Sequence, residues 1–205
     1  MTASEFLGVA EESGQMLAIN EWILRRALMQ LGAWRDQGMA PILMAINVSV
    51  DLFRHAQLAD TIDTVLAEYR LAPWMLELEL TENVVMHDPG AAVGIIAVLR
   101  SHGIRVTIDD FGAGSSGLSY LRQFKIHKLK IAANFVANIV ADAEEKALVG
   151  AIISLTRELG IRALAEGVDN AEQAALLREK GCHEAQGRYF AEALTPDEFF
   201  TYAAQ

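Results

Sequence analysis

Cysteine is almost absent from this chain of 205 residues, which contains only Cys182. A single cysteine cannot form an internal disulfide, so a reducing cytoplasm is the expected compartment. Long apolar runs are also missing. Although 52% of the residues are hydrophobic, no stretch approaches the roughly 18 consecutive apolar residues of a membrane-spanning helix. The N-terminal residues include glutamates at positions 5, 11 and 12 instead of the basic and apolar pattern of a secretory signal.

Positive charge is scarce as well. The chain has 17 lysines and arginines against 27 acidic residues, which gives a formal net charge of −10 at pH 7. Because no basic cluster offers a track for a phosphate backbone, we do not expect binding to nucleic-acid polymers. No linker rich in proline, glycine or serine and no low-complexity segment interrupts the sequence. Residues 1–205 are therefore expected to form a single domain.

What the chain does contain is a regular alternation of strand-like and helix-like segments. Parallel neighbouring strands need helical crossovers of this kind. Such alternation is typical of either a doubly wound sheet or a (β/α)₈ barrel. The first strand is almost wholly apolar, which predicts burial on both faces. Six strands are predicted, at residues 42–49, 75–82, 105–110, 128–132, 162–167 and 184–190.

The third predicted strand ends in two adjacent carboxylates, Asp109 and Asp110, followed by a glycine-containing loop. Side chains alternate across a strand, so both carboxylates can face one mouth only if the strand is ending there. Crowded carboxylates repel each other unless a proton or a cation lies between them, and Mg²⁺, Mn²⁺ and Ca²⁺ prefer hard oxygen ligands. The alternative is a strand end whose carboxylates cap the next helix or turn.

Almost every predicted strand ends in a polar residue that an apolar core would not tolerate. In a barrel the carboxyl ends of the strands face one shared mouth, so these side chains would converge. A doubly wound sheet would spread them along a crevice, and no glycine-rich dinucleotide loop follows the first strand, so a barrel is favoured. Carboxylates, an amide and a lysine together indicate metal-assisted phosphoryl transfer. These residues are Asn47, Glu79, Asp109 with Asp110, Lys130, Glu166 and Gln186.

Several segments around these positions resemble the EAL family of cyclic di-GMP phosphodiesterases, from about residue 4 to the end of the chain. The matching segments are Glu79-Leu80-Thr81-Glu82, Asp109-Asp110-Phe111-Gly112, Leu129-Lys130-Ile131, Ala165-Glu166-Gly167-Val168 and Ala185-Gln186-Gly187, together with Ala10-Glu11-Glu12-Ser13-Gly14 and Asn47-Val48-Ser49.

The resemblance implies a (β/α)₈-type barrel that opens cyclic di-GMP to the linear dinucleotide with two Mg²⁺ or Mn²⁺ ions. It implies that Asn47, Glu79 and Asp109 are metal ligands, and that Asp109 and Asp110 serve the second ion. Lys130 would position the attacking water, Glu166 would act as general base or second-metal partner, and Gln186 would support the site. Glu82 would steady the loop that includes Phe111, Gly112 and Gly114, which in the family couples metal binding to dimer contacts.

The chain also departs from the family pattern. The family begins with two strands that have no counterpart here, and the second carries the Glu-Ala-Leu signature, whose glutamate is a metal ligand. We therefore expect an incomplete barrel of six parallel strands, with catalysis absent or impaired. Other departures are Ala132, Ala133 and Asn134, and Arg188 in place of the usual aromatic after Gln186-Gly187.

An incomplete barrel leaves strand edges with unpaired backbone N–H and C=O groups, which can pair with a strand of another chain. We expect a homodimer, or a partner that donates strands, with residues 43–48 near the contact and the loop near Phe111 as the competing interface. Three interpretations remain open at this point: an active phosphodiesterase, a nucleotide-binding regulatory module descended from the enzyme, and an interaction protein.

Overall fold

A computed structural model of the chain describes residue 10 and residues 13–112, 118–182 and 184–204. Within these ranges, none of the helices combines the length and the apolar character that crossing a bilayer requires. Gly114, which was predicted to belong to the site loop, lies outside the described residues.

The predicted strands form one parallel sheet in which the strands lie side by side in the order of the sequence. With the surrounding helices this sheet makes a half-barrel, so the predicted incomplete barrel of six parallel strands is confirmed. In the described residues the first and the sixth strands are the two edges. The strands are β1 (Met44–Asn47), β2 (Leu76–Thr81), β3 (Arg105–Phe111), β4 (Lys128–Ile131), β5 (Arg162–Ala165) and β6 (Glu184–Ala185).

Helices connect the strands, and capping side chains explain where several of them begin. Asp88 and Asp142 accept hydrogen bonds from backbone N–H groups in the first turns of the helices that begin at Pro89 and Ala143. Thr195 and Glu198 form a capping box at α10. The helices are α1 (Met16–Asp36), α2 (Val50–Phe53), α3 (Leu58–Glu68), α4 (Glu82–Met86), α5 (Pro89–Ser101), α6 (Leu118–Phe124), α7 (Ala133–Ala137), α8 (Ala143–Leu159), α9 (Ala171–Glu179) and α10 (Pro196–Ala203).

The apolar core lies on one face of the sheet, between the strands and the helices. Leu76, Leu78 and Leu80 of β2 belong to this core and are almost completely buried. The alternating residues Glu77 and Glu79 make ion pairs with lysines of β4 on the opposite, concave face. The sheet therefore has an apolar outer face and a charged inner face.

The prediction that the first strand is buried on both faces is wrong. Ile46 is buried, but Ala45 and Asn47 are exposed. These two residues lie in register with Glu77 and Glu79 of β2, so they belong to the charged concave face, at an edge of the sheet. An apolar sequence shows that a strand suits a core, but it does not show how many of its faces are covered.

The sixth strand is much shorter than predicted. Only Glu184–Ala185 pairs as a strand, and residues 188–190 form a turn instead of continuing to position 190. In the turn the Phe190 N–H donates to the carbonyl of Gly187 at 3.0 Å. This hydrogen bond closes within residues 187–190, so the Phe190 N–H does not extend the ladder with β5.

Candidate active site

The carboxyl end of the sheet brings together side chains from successive strands. Glu79 lies on β2, Asp109 on β3 and Lys130 on β4. Glu166 and Gln186 directly follow β5 and β6. Each of the last two is held by a backbone hydrogen bond to the preceding strand, 3.1 Å from Glu166 N and 2.9 Å from Gln186 N. The sheet register therefore continues one residue beyond these strands, as the barrel prediction required.

Lys130 is at the centre of this cluster. Its Nζ lies 3.0 Å from Oε2 of Glu79, 3.1 Å from Oδ1 of Asp109 and 2.8 Å from Oε1 of Glu166. The lysine side chain is only 4% exposed. A buried ammonium is stable only when it is paired, and here carboxylates from three different strand ends pair with it.

A bulge in β3 explains how two consecutive aspartates reach one site. Between β3 and β4 the register advances three residues on β3, from Ile108 to Phe111, but only two on β4. Asp110 adopts φ +52°, a left-handed conformation, and its N–H donates to Oδ1 of Asp109 at 2.9 Å. The sequence predicted that the strand ends at the aspartates, but the strand continues to Phe111, and the bulge redirects the side chains.

The carboxylates of Asp109, Asp110 and Glu166 offer oxygens that all lie within 4.8 Å of one another. Oxygen donors at such spacing fit the preference of Mg²⁺ and Mn²⁺. Glu79 was also predicted as a metal ligand, but among the described residues it is not in this group of three. Its carboxylate accepts a hydrogen bond from Lys130.

Burial and pairing shift the pKa values of the cluster. Burial raises the pKa of Glu166 to about 7; the ammonium of Lys130 opposes this rise, and Asp109 adds to it. Burial likewise raises the pKa of Glu79, against the effect of Lys130. For Lys130 itself burial lowers the pKa, but hydrogen bonds to Glu166 and Glu79 outweigh it, so the net shift is upward. Lys130 thus stays charged, while Glu166 can exchange a proton near neutral pH.

Gln186 and Asn47 flank the cluster. Nε2 of Gln186 donates to Oε1 of Glu166 at 2.6 Å, which fixes one carboxylate oxygen. Asn47 lies in register with Glu79 at the edge of the sheet and is exposed. In the described part of the chain, the side-chain amide of Asn47 makes no hydrogen bond, so its oxygen is available to a ligand.

Glu82 contacts the chain directly after β3. Its side chain is buried, and its Oε2 accepts from the N–H of Gly112 at 3.1 Å. Gly112 has φ +96°, and a Cβ there would lie 2.8 Å from the ring of Phe135. Phe111 is buried in the core. These contacts place Glu82, Phe111 and Gly112 together where the loop leaves the strand.

This arrangement of strand ends can be compared with known proteins. The family model of the EAL domain matches residues 1–193. The chain belongs to the EAL domain family. The resemblance predicted from the motifs of the sequence is thereby confirmed.

Relatives of this EAL domain include signalling proteins and phosphodiesterases. It is 40% identical over 95% of its length to the signaling protein YkoW of Bacillus subtilis and covers 24% of that protein. It is 37% identical over 91% of its length to the bifunctional diguanylate cyclase/cyclic di-GMP phosphodiesterase MucR of Pseudomonas aeruginosa and covers 27% of it. The chain thus spans about a quarter of the length of these curated relatives.

A solved structure has the same fold. The PaMucR phosphodiesterase in complex with c-di-GMP superposes with a TM-score of 0.92 at 35% identity, over 97% of this chain and 81% of that one. Its similarity extends over the sheet and the helices that position the strand ends.

Two features of this EAL domain were not predicted. Beneath Lys130, the ammonium of Lys128 pairs with Glu77 at 3.1 Å and with Glu184 at 3.0 Å, which makes a second charged layer. Glu77 and Glu79 are two residues apart, as are Lys128 and Lys130, so each pair shares one face of its strand. This spacing could have indicated the second charged layer. The second feature is an ion pair between Asp169 and Arg188, which no local sequence pattern indicates.

The amino ends of the strands carry a separate cavity of about 420 Å³ between β5, α8 and α9. It is lined by Arg157, Arg162 and Lys180, together with Glu179 and Glu184. None of the predicted site residues lines it.

Proposed function

We propose that this EAL domain binds cyclic di-GMP at the carboxyl ends of its strands and hydrolyses one phosphodiester bond, which opens the ring to the linear dinucleotide. The observation that carries the proposal is the contact of Lys130 with carboxylates of three strand ends, next to the group formed by Asp109, Asp110 and Glu166. The naming of relatives as cyclic di-GMP phosphodiesterases supports the choice of substrate.

The carboxylates of Asp109, Asp110 and Glu166 would hold Mg²⁺ or Mn²⁺, with Glu79 and the amide oxygen of Asn47 as additional ligands. When bound, such ions polarise a phosphate oxygen and lower the pKa of bound water. The donor set fits because every proposed ligand offers a hard oxygen.

Glu166 is the proposed general base. A base works best when its pKa is close to the working pH, and burial raises the pKa of Glu166 to about 7. Glu166 would take the proton of the water that attacks phosphorus, while the bond from phosphorus to one ribose oxygen breaks. That oxygen would receive a proton from solvent, to which Glu166 would afterwards release its own. Gln186 would hold the carboxylate in position through its 2.6 Å hydrogen bond.

Lys130 would orient the attacking water or a phosphate oxygen. An ammonium has three N–H donors, and Lys130 contacts three carboxylates. It can therefore hold a water only when one of these contacts is released. Binding of a divalent cation by the carboxylates would weaken their hold on the ammonium, so metal binding and water positioning would be linked.

A module that binds cyclic di-GMP without turnover is the second candidate. It is favoured by the same contacts, since an incoming cation must compete with the Lys130 ammonium for Glu79, Asp109 and Glu166. Absent or impaired catalysis by the 205-residue chain stays a prediction. Losing one electrostatic contact to a transition state costs a factor of about 10² to 10³ in rate.

Assembly and compartment complete the proposal. The edge strand β1 has no partner on one side among the described residues, and its exposed Ala45 adds apolar surface, so a second copy of the chain would pair near residues 43–48. Sedimentation at high concentration would show a dimer; a monomer with fast-exchanging β1 amides would contradict this.

Cytoplasmic placement is proposed because the one cysteine, Cys182, is a buried free thiol. Residues 1–205 would act as one domain.

Chromatography of cyclic di-GMP tests the proposed reaction directly. The chain is incubated at stoichiometric concentration with Mn²⁺, and the linear dinucleotide is measured over time. We expect slow opening that is abolished in Glu166→Gln and Asp109→Asn and unchanged in Asp60→Asn, which alters an exposed carboxylate on α3. Binding without any opening would support the second candidate, and neither binding nor opening would contradict both.

A further inference from the structure

Asp169 and Arg188 form a two-pronged ion pair beside the candidate active site. Nε of Arg188 donates to Oδ1 of Asp169 at 2.9 Å, and Nη2 donates to Oδ2 at 3.0 Å. Two parallel hydrogen bonds of this kind fix the plane of a guanidinium as well as its position. The guanidinium also holds the pKa of Asp169 below its usual value.

Backbone contacts place this pair at the rim of the site. The segment after β6 lies against the segment after β5, because Val168 N–H donates to the Gln186 carbonyl and Tyr189 N–H donates to the Val168 carbonyl, both at 3.0 Å. Between these bonds, a Cβ at Gly187 would lie 2.2 Å from the Val168 carbonyl oxygen. Arg188 thus follows, by two residues, the glutamine whose amide contacts Glu166.

Asp169 is itself held in place. Its N–H donates at 2.8 Å to Oε1 of Gln173, a buried glutamine whose Nε2 donates to the carbonyls of Val136 and Ala137 at the end of α7. The backbone that carries this carboxylate is therefore attached to a buried part of the fold.

The ion pair leaves one edge of the guanidinium free. A guanidinium has five N–H donors, and Asp169 accepts one from Nε and one from Nη2. Both donors of Nη1 and one of Nη2 remain, and within the described residues they have no acceptor. The side chain is 68% exposed. Arg188 thus presents two parallel donors to solvent in a fixed plane.

Two parallel donors match two neighbouring acceptors. In guanine these are O6 and N7, whereas adenine has the N6 donor in place of O6 and would repel one N–H. The reacting phosphate belongs with Lys130 and its carboxylates, none of which contacts Arg188. A group at the rim would meet a base, because the bases of a cyclic dinucleotide extend outward from its sugar–phosphate ring.

We propose that Arg188, oriented by Asp169, recognises the O6 and N7 edge of one guanine of the bound nucleotide and makes the site prefer guanine to adenine. The inference rests on the proposed function. Arg188 is then a specificity residue, and Asp169 is a positioning residue that acts through it.

Calorimetric titration with cyclic di-GMP and cyclic di-AMP, in the presence of Mn²⁺, tests the proposal. A good two-pronged contact to a base discriminates by about tenfold or more, so the unaltered chain should bind cyclic di-GMP at least tenfold more tightly than cyclic di-AMP. Arg188→Met should weaken only cyclic di-GMP binding and bring the two affinities together. Asp169→Asn should lower the preference in part.

Arg178→Met is the matched control, since Arg178 is an exposed arginine in the last turn of α9 and should leave both affinities unchanged. An exposed ion pair contributes little to stability, so circular dichroism should show Arg188→Met folded. If Arg188→Met weakens both nucleotides equally, or neither, the inference is wrong while the proposed function stands. If the unaltered chain binds no cyclic dinucleotide, the proposed function fails and the inference with it.

Discussion

The ammonium of Lys130 lies 2.8 Å from Oε1 of Glu166, and the same carboxylate oxygen accepts from Gln186. Because Glu79 and Asp109 also contact the ammonium, one buried positive charge is shared by three carboxylates. Without a divalent cation this site therefore has more negative than positive charge. Its stability should respond to pH and to metal ions.

Glu166→Gln should stabilise the metal-free protein at alkaline pH. The folded state raises the pKa of Glu166 from 4.5 to about 7, so the native chain binds this proton more tightly than the unfolded chain. The stability that the folded state gains from this proton is fully present below pH 4.5 and is lost as the pH rises through about 7. A glutamine does not titrate, so the variant should gain about 1 kcal/mol relative to the unaltered protein between pH 5 and pH 8, after allowance for solvent screening.

Thermal unfolding in EDTA measures this gain, which corresponds to about 2–4 °C in Tm for a chain of this size. Glu158→Gln, on the exposed face of α8, is the control and should show no such pH dependence. A difference between Glu166→Gln and the unaltered protein that stays constant from pH 5 to pH 8 would contradict the account.

Lys130→Met should destabilise the protein, and Mn²⁺ should restore part of the loss. Removing one partner of a buried ion pair costs about 3–5 kcal/mol, because the remaining charges are left unpaired. A divalent cation can replace the lost ammonium between Asp109 and Glu166. The measurement is Tm with EDTA and with Mn²⁺.

Lys128→Met is the control for metal rescue. Lys128 is also paired, with Glu77 and Glu184, and its side chain is only 12% exposed, but these carboxylates are not part of the close group of three. Its loss of stability should be insensitive to Mn²⁺. Equal rescue of both variants would show that the ion acts generally and not at the strand ends.

Gly187→Ala should separate the segment after β6 from the segment after β5. A Cβ at this position would lie 2.2 Å from the carbonyl oxygen and 2.3 Å from the nitrogen of Val168. Backbone atoms cannot yield as a flexible side chain does, so we expect a loss on the order of 2–3 kcal/mol. Hydrogen exchange should become faster at the Val168 and Tyr189 amides.

Gly94→Ala is the matched substitution, because Gly94 lies inside α5 and a Cβ there meets nothing within 4 Å. Alanine should stabilise that helix by about 0.5–1 kcal/mol. The idea of close backbone contact at Gly187 would fail if both substitutions had the same effect on stability.

The sequence predicted the strands because their apolar runs alternate with helical periodicity. It also predicted that Glu79, Lys130 and Glu166 converge, since parallel strands carry their carboxyl ends to one edge. The bulge at Asp110 could not be predicted, because a left-handed conformation at an aspartate has no distinct sequence signal. The prediction for the first strand failed because it depended on coverage by neighbours, which composition does not report, and the sixth strand was predicted too long because a turn forms at residues 188–190.

The contact between Arg188 and Asp169 could not be predicted either. The two residues lie 19 positions apart and meet only because β5 and β6 are neighbours in the sheet. The sequence showed Arg188 as a departure from the family pattern, but its partner and its free edge follow only from the fold.

We expect Asp109 and its neighbours to bind cyclic di-GMP through a divalent cation. Calorimetric titration of cyclic di-GMP in Mn²⁺ and in EDTA, with the unaltered chain and with Asp109→Asn, tests it most directly. The expected result is binding heat in Mn²⁺ that disappears in EDTA, and an affinity that is at least tenfold lower in Asp109→Asn. Equal binding in EDTA, or unchanged affinity in Asp109→Asn, would contradict it.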